Sequence, residues 1–131
     1  MSTATNKQLI QEAFEQMAQG NTAPFGELMA EDFTWSVPGS NKWSGTYRGK
    51  EEVRTKLFRQ IFAQFATQYT NTAERILADG DYVVVQCRGN VMTKSGRPYN
   101  NAYCYVIRFA DGKMRELTEY MDTELVTAAL G

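Results

Sequence analysis

A glutamate in the middle of an otherwise apolar strand is the first sign of chemistry in this chain. In "MRELTEYMDT", residues 114–123, Glu119 alternates with Leu117 and Met121, so all three share one strand face. A carboxylate on a buried face needs either a partner or a task. The chain contains no histidine, which excludes a Ser–His–Asp or Cys–His nucleophile and any histidine-ligated zinc. Acid–base work must fall to carboxylates, tyrosines, lysine or bound water. The expected chemistry needs neither a metal nor an organic cofactor.

Two hairpins decide what faces Glu119. The strands "DYVVVQCRGNVM", "YNNAYCYVIRF" and "KMRELTEYMD" are joined by "TKSGRP" and "ADG". A three-residue "ADG" loop pairs Phe109 with Lys113, and therefore Tyr103 with Glu119, Tyr105 with Leu117 and Asn101 with Met121. A turn centred on Ser95-Gly96 pairs Arg88 with Tyr103 and Gln86 with Tyr105. Arg88, Tyr103 and Glu119 then form one row, with Arg88 and Glu119 about 10 Å apart at their backbones. Both side chains are long enough to meet beside the Tyr103 hydroxyl. The expected catalytic pair is Glu119 and Arg88. The same residues also suit a purely structural buried ion pair. A two-residue "DG" turn would instead set Glu119 opposite Cys104 and on the other face. The three-residue loop is preferred because it gathers Leu117, Met121, Tyr103 and Tyr105 into one apolar lining.

The elements that must position this row are legible from periodicity. Leu9, Ile10, Ala13, Phe14 and Met17 mark one helical face within residues 5–19. "TAPFGELMA" reads as a short second helix with Pro24 near its start. "DFTWSVP" alternates Phe33, Trp35 and Val37 on one side of a strand, and a turn-rich loop carrying Trp43 and Tyr47 follows. A third helix is predicted from Lys50 to about Gln68 with Val53, Leu57, Ile61, Phe62 and Phe65 inward. A strand at 70–78, the three strands above and a last helical turn in "TELVTAAL" complete the chain. Helices followed by an antiparallel meander indicate an α+β domain with helices on one sheet face, and a pocket between the layers. Trp35, Gln86, Asn101, Tyr103, Tyr105, Leu117 and Met121 are the candidate substrate contacts. Cys87 and Cys104 come out opposite each other and read as core packing. The far face, with Asn100, Ala102, Cys104, Val106 and Arg108, is apolar enough to predict a homodimer through the sheet.

Bulk properties narrow the function classes. The 131 residues suit one domain, 1–131, and 43% hydrophobic with 22% charged residues is an ordinary globular balance. A net charge of -1, from 14 basic and 15 acidic residues, gives no reason to expect nucleic acid or an anionic membrane as partner. "MSTATNKQL" lacks the apolar segment of a signal peptide, so the cytoplasm is the expected compartment.

The C-terminal half carries a pattern of its own: G-(K/R)-x-Y-x-N in "SGRPYNN", then D-G-K-(I/M), then E-Y-x-D in "EYMD". With "YRGKEEV" ahead of the third helix, it resembles the SnoaL-like polyketide cyclase and ketosteroid isomerase-like group of the nuclear transport factor 2-like superfamily. The resemblance implies a cone-shaped α+β barrel, a curved antiparallel sheet with three helices on its concave face, often dimeric through its sheet. It also implies a small apolar organic ligand. The group includes isomerases, cyclases, dehydratases, epoxide hydrolases and non-catalytic binding domains. In limonene epoxide hydrolase an Arg and two Asp residues hold a water, and a D-Y-x-D motif is similar to "EYMD", which carries one acid onto Glu119. That family's R-x-D falls on Gln86 and Arg88, and its water-positioning Tyr falls near Trp35, which argues against epoxide hydrolysis by that route. The resemblance implies a single carboxylate, Glu119, acting on a carbon acid. The alternative is a non-catalytic hydrophobic-ligand-binding or dimeric interaction domain.

Overall fold

A computed structural model describes residues 2–131. Helix α1 (Thr3–Met17) begins where the Ser2 hydroxyl accepts the Thr5 backbone N–H at 3.1 Å, a side-chain N-cap. Its buried stripe of Ile10, Ala13, Phe14 and Met17 follows the predicted spacing. Helix α2 (Ala23–Glu27) carries Pro24 in its first turn, where a missing N–H costs nothing.

The third helical region is shorter and less regular than expected. It consists of α3 (Lys50–Glu52), a π-helical segment (Val53–Phe58) and α4 (Arg59–Phe62). Beyond Phe62 the chain is drawn away by the neighbouring hairpin. Ala66 N–H donates to the Met92 carbonyl at 2.8 Å, and Lys94 N–H to the Gln64 carbonyl at 2.8 Å.

Strands β1 (Met29–Val37), β2 (Gly45–Arg48), β3 (Thr70–Asp79), β4 (Tyr82–Asn90), β5 (Ala102–Ala110) and β6 (Lys113–Met121) form one sheet in the order β2-β1-β6-β5-β4-β3. The fold is α+β, and the sheet curves without closing into a barrel. One pairing is parallel, β1 with β6. The helices between β1 and the meander give enough chain for that crossover. Strand β2 lies in what reads from sequence as a loop, and pairs Tyr47 with Trp35. Helix α1 packs on β3 and β4, and α2 and α3 on β1. Helix α5 (Thr123–Leu130) is capped by the Asp122 carboxylate, which accepts the Leu125 N–H at 3.1 Å.

Both hairpin registers differ from expectation, for opposite reasons. The β4–β5 connection is a three-residue loop, Lys94 to Gly96, with Gly96 at φ 86° and Thr93 N–H bonded to the Arg97 carbonyl at 2.9 Å. It centres the hairpin on Ser95 and pairs Cys87 with Tyr103 and Arg88 with Ala102, a one-residue slip. The β5–β6 turn is the two-residue Asp111-Gly112, with φ 53° and 75°, so Ala110 pairs with Lys113. Alone, that turn would send Glu119 outward. A bulge between Phe109↔Met114 and Arg108↔Glu116 inserts one extra residue and restores the inward face, with Glu119 opposite Tyr105. Arg115, in the bulge, bonds both Asp32 carboxylate oxygens on β1 at 3.0 Å.

Replacing Arg115 and deleting it should have very different consequences. Arg115→Ala loses a partly exposed ion pair and should cost about 1 kcal/mol in urea unfolding. Deleting the residue inverts Leu117, Glu119 and Met121, and should cost more than about 4 kcal/mol. Similar losses for both proteins would mean that the ion pair, not the extra residue, sets the register.

Candidate active site

Glu119 projects from β6 into a cavity of about 370 Å³ between the inner sheet face and the helices. Neighbouring strands place Trp35 and Tyr105 beside it. The Trp35 indole N–H donates to Glu119 Oε1 at 3.1 Å. The indole is itself held edge-on by Phe58, centroids 5.0 Å apart, and by Tyr105 at 5.6 Å. Such T-shaped contacts fix the ring, and with it the direction of the N–H. Phe62 and Phe65 continue the wall from the helical side, and Phe65 stacks on Tyr69 at 5.6 Å.

Glu119 is half-buried and lines the cavity. Burial raises its carboxyl from 4.5 to about 7, against the pull of the Trp35 N–H and of the neighbouring Tyr105 hydroxyl. None of the salt bridges among the described residues includes Glu119. Lys50 and Arg54 line the cavity from the helical side, and Arg54 is paired with Glu51. The tyrosines lining the cavity, Tyr69, Tyr99, Tyr103 and Tyr105, are all raised by burial and remain neutral hydroxyl donors.

Of the residues picked from sequence, Glu119, Trp35, Tyr103, Tyr105 and Met121 line this cavity. Leu117 lies on the same face but is buried in the packed core. Asn101 is fully buried and committed to the backbone. Its Nδ2 donates to the Asp122 carbonyl at 3.1 Å and to the Tyr99 hydroxyl at 3.2 Å, and its Oδ1 accepts the Asp122 N–H at 3.2 Å. Arg88 and Gln86 are corrected by the β4–β5 slip: both are exposed on the outer face, and Arg88 does not meet Glu119. Their inner place is taken by Cys87, whose thiol burial pushes well up. Cys87 and Cys104 therefore lie on opposite faces and are both free. Among the described residues, no three His, Cys, Asp or Glu side chains gather as a metal site, and no helix is long and apolar enough to cross a membrane.

Tyr69 and Tyr99 also line the cavity, outside the residues expected from sequence, and they share a signal. Each opens a Tyr-x-Asn triplet, Tyr69-Thr70-Asn71 and Tyr99-Asn100-Asn101. In each, the asparagine Nδ2 donates to the hydroxyl of the tyrosine two residues earlier, at 3.0 and 3.2 Å.

Comparison with known proteins agrees with this architecture. Residues 10–117 match the family model of the SnoaL-like domain. An uncharacterised protein of Mycobacterium tuberculosis is 24% identical over 120 residues, spanning 92% of this chain and 91% of its own. A nuclear transport factor 2-like protein from Burkholderia thailandensis superposes with a TM-score of 0.81 at 22% identity, covering 100% of this chain and 99% of that one. A proposed SnoaL-like polyketide cyclase from Jannaschia sp. CCS1 gives 0.78 at 19% identity, covering 98% and 92%.

The raised carboxyl makes a stability prediction with a definite sign. A shift from 4.5 to about 7 couples folding to the Glu119 proton by about 3 kcal/mol. That stabilisation is full below the unfolded value near 4.5 and is lost as pH rises through about 7. Glu119→Gln stays neutral, so it should match wild type at about pH 4.5 and exceed it by about 2–3 kcal/mol at about pH 8.5. Urea melts of both proteins across this range would show it. Parallel pH curves would mean that Glu119 is not the buried titrating group.

Proposed function

This chain belongs to the SnoaL-like domain family, and from that premise we propose that it is a cofactor-independent acid–base enzyme acting on a small, apolar, carbonyl-bearing molecule. Glu119 is the proton-transfer group. Ionised, it takes the proton from the carbon beside the carbonyl; the C–H electrons form a C=C bond and the carbonyl π electrons move to oxygen. Protonated, it returns the proton at another carbon, or the enolate closes a ring or expels a leaving group. Isomerisation, cyclisation and dehydration share this first step.

The observation that carries the proposal is the Glu119 carboxylate facing an aromatic cavity in no salt bridge, where burial raises it to about 7. A base whose pKa lies near the working pH combines available ionised form with driving force for proton transfer. Tyrosine hydroxyls in the same cavity supply neutral donors for the developing oxygen charge. Trp35, Tyr103, Tyr105 and Met121, which line the cavity, are the substrate contacts. A binding domain with no chemistry would share the cavity but would have no use for a carboxyl poised near neutrality. We assign the protein to the cytoplasm, where its free thiols would stay reduced.

The test is α-proton exchange in D₂O, followed by NMR on a panel of bicyclic and tetracyclic ketones. Exchange should rise with pH, level off above about 7, and fall at least about 100-fold in Glu119→Gln. A ketone that binds without exchanging would favour the non-catalytic domain.

We also propose a homodimer through the outer sheet face. Leu77, Val84 and Val106 align across β3, β4 and β5, and Leu77 is 56% exposed. Tyr82 and Tyr120, on the same face, are also exposed. Light scattering at micromolar concentration should return a dimer, and Val106→Asp should return a monomer. A monomeric wild type would refute the assembly and leave the site proposal standing.

A further inference from the structure

Asn71 lies on edge strand β3 and is nevertheless completely buried. Its Nδ2 donates to two phenol oxygens, Tyr69 at 3.0 Å and Tyr105 at 3.4 Å, while its Oδ1 has no partner. A buried amide serving only as a fastener would have its acceptor satisfied, as that of Asn101 is. Across the strand pair stands Gly89, and a Cβ there would come within 3.2 Å of both the Tyr69 and Tyr103 rings. The missing side chain makes room for the rings, and the asparagine opposite reaches their hydroxyls.

We propose that Asn71 is a positioning residue that directs the Tyr69 and Tyr105 hydroxyl protons into the cavity, the Tyr105 proton onto Glu119. A phenol O–H lies in its ring plane and has two positions. An amide N–H against one side of the oxygen excludes the proton from that side and leaves the other. Both donors are then aimed before a substrate arrives, which avoids reorganisation during reaction. The catalytic consequence rests on Glu119 being the acid–base group; the orientation itself does not.

The ionisable groups facing Glu119 do not obscure its titration. Tyr47 on β2, Cys87 on β4, Tyr103 and Tyr105 on β5, and Tyr69 and Tyr99 beside them are all pushed upward, primarily by burial. Glu27 at the end of α2, with Lys50 and Arg54, stands on the helical side of the cavity.

The experiment follows the Glu119 side-chain carboxyl by ¹³C NMR against pH, with its resonance assigned from its loss in Glu119→Gln. Wild type should titrate near 7. Asn71→Leu should raise the midpoint by at least about 0.5 pH units, because the freed Tyr105 proton no longer holds the carboxylate. Tyr105→Phe should raise it similarly, and adding Asn71→Leu to Tyr105→Phe should change nothing more. Loss of packing alone would lower the melting temperature without this non-additivity. Should Asn71→Leu not fold, Asn71→Ser gives the same comparison with a smaller change. An unchanged or lowered midpoint overturns the proposal, since an amide turned the other way would draw both protons onto its oxygen. A wild-type midpoint near 4.5 would instead sink the acid–base reading of Glu119.

Discussion

One extra residue in β6 decides which face of the sheet Glu119 occupies. The Asp111-Gly112 turn sets a register that, continued unbroken, would carry Glu119 to the outer face. The bulge at Arg115 reverses the alternation, so Met114, before it, and Leu117, Glu119 and Met121, after it, all serve the inner side. The partner strand accommodates the same irregularity, because β1 also shifts register between Met29 and Thr34. Arg115 joins the two strands at this point through Asp32. Bulges commonly re-aim side chains next to functional positions, and here the side chain re-aimed is the only carboxylate in the cavity lining drawn from the sheet.

Once inside, Glu119 is governed by what is missing beside it. A guanidinium about 4 Å away would contribute about 4 kcal/mol at an effective dielectric of about 20, enough to hold the carboxyl ionised across the neutral range. The protein offers the Trp35 N–H instead, a neutral donor that only moderates the cost of burial. Desolvation therefore dominates, and the carboxyl rests near neutrality, where small changes in its surroundings alter its charge. The aromatic packing around Trp35 belongs to the same arrangement. Edge contacts from Phe58 and Tyr105 fix the indole, and Phe58 closes the π-helical segment. Such wider turns within helices recur at functional sites, and this one places an aromatic ring against the indole that bonds Glu119.

Strand periodicity was enough to assign Trp35, Tyr103, Tyr105 and Glu119 to one face, because alternation survives any register error of two residues. The same face could be read for β6 only through two compensating departures: a shorter turn and an added bulge. For β4 no second departure compensated. The Lys94 to Gly96 loop moved every residue by one, exposing Arg88 and Gln86 and turning Cys87 inward. Turn length is a weak inference from "TKSGRP", since loops of two to five residues fit it equally well. Alternation of Val83, Val85 and Cys87 against Gln86 and Arg88 was the stronger clue, as it already favoured an apolar inner row. The π-helical segment had no visible signature, because an apolar stripe along a helix does not reveal how tightly it is wound.

The two Tyr-x-Asn triplets show how neutral groups can organise the surroundings of a buried carboxyl. Both put the asparagine on the tyrosine's side of the chain, two residues on, where its amide reaches the phenol oxygen. Asn101 also clamps Asp122, the residue that caps α5, so one triplet ties the cavity floor to the last helix. Asn71 has no such second duty, and its bonds run only to hydroxyls. A cation in either place would have bound those oxygens more strongly but would also have pulled Glu119 toward permanent ionisation. Amide donors order the hydroxyls and leave the carboxyl's proton free to move. Orientation is thus kept separate from charge: around Glu119 the sheet side of the cavity offers phenols and an indole, while Glu27, Lys50 and Arg54 stand on the helical side.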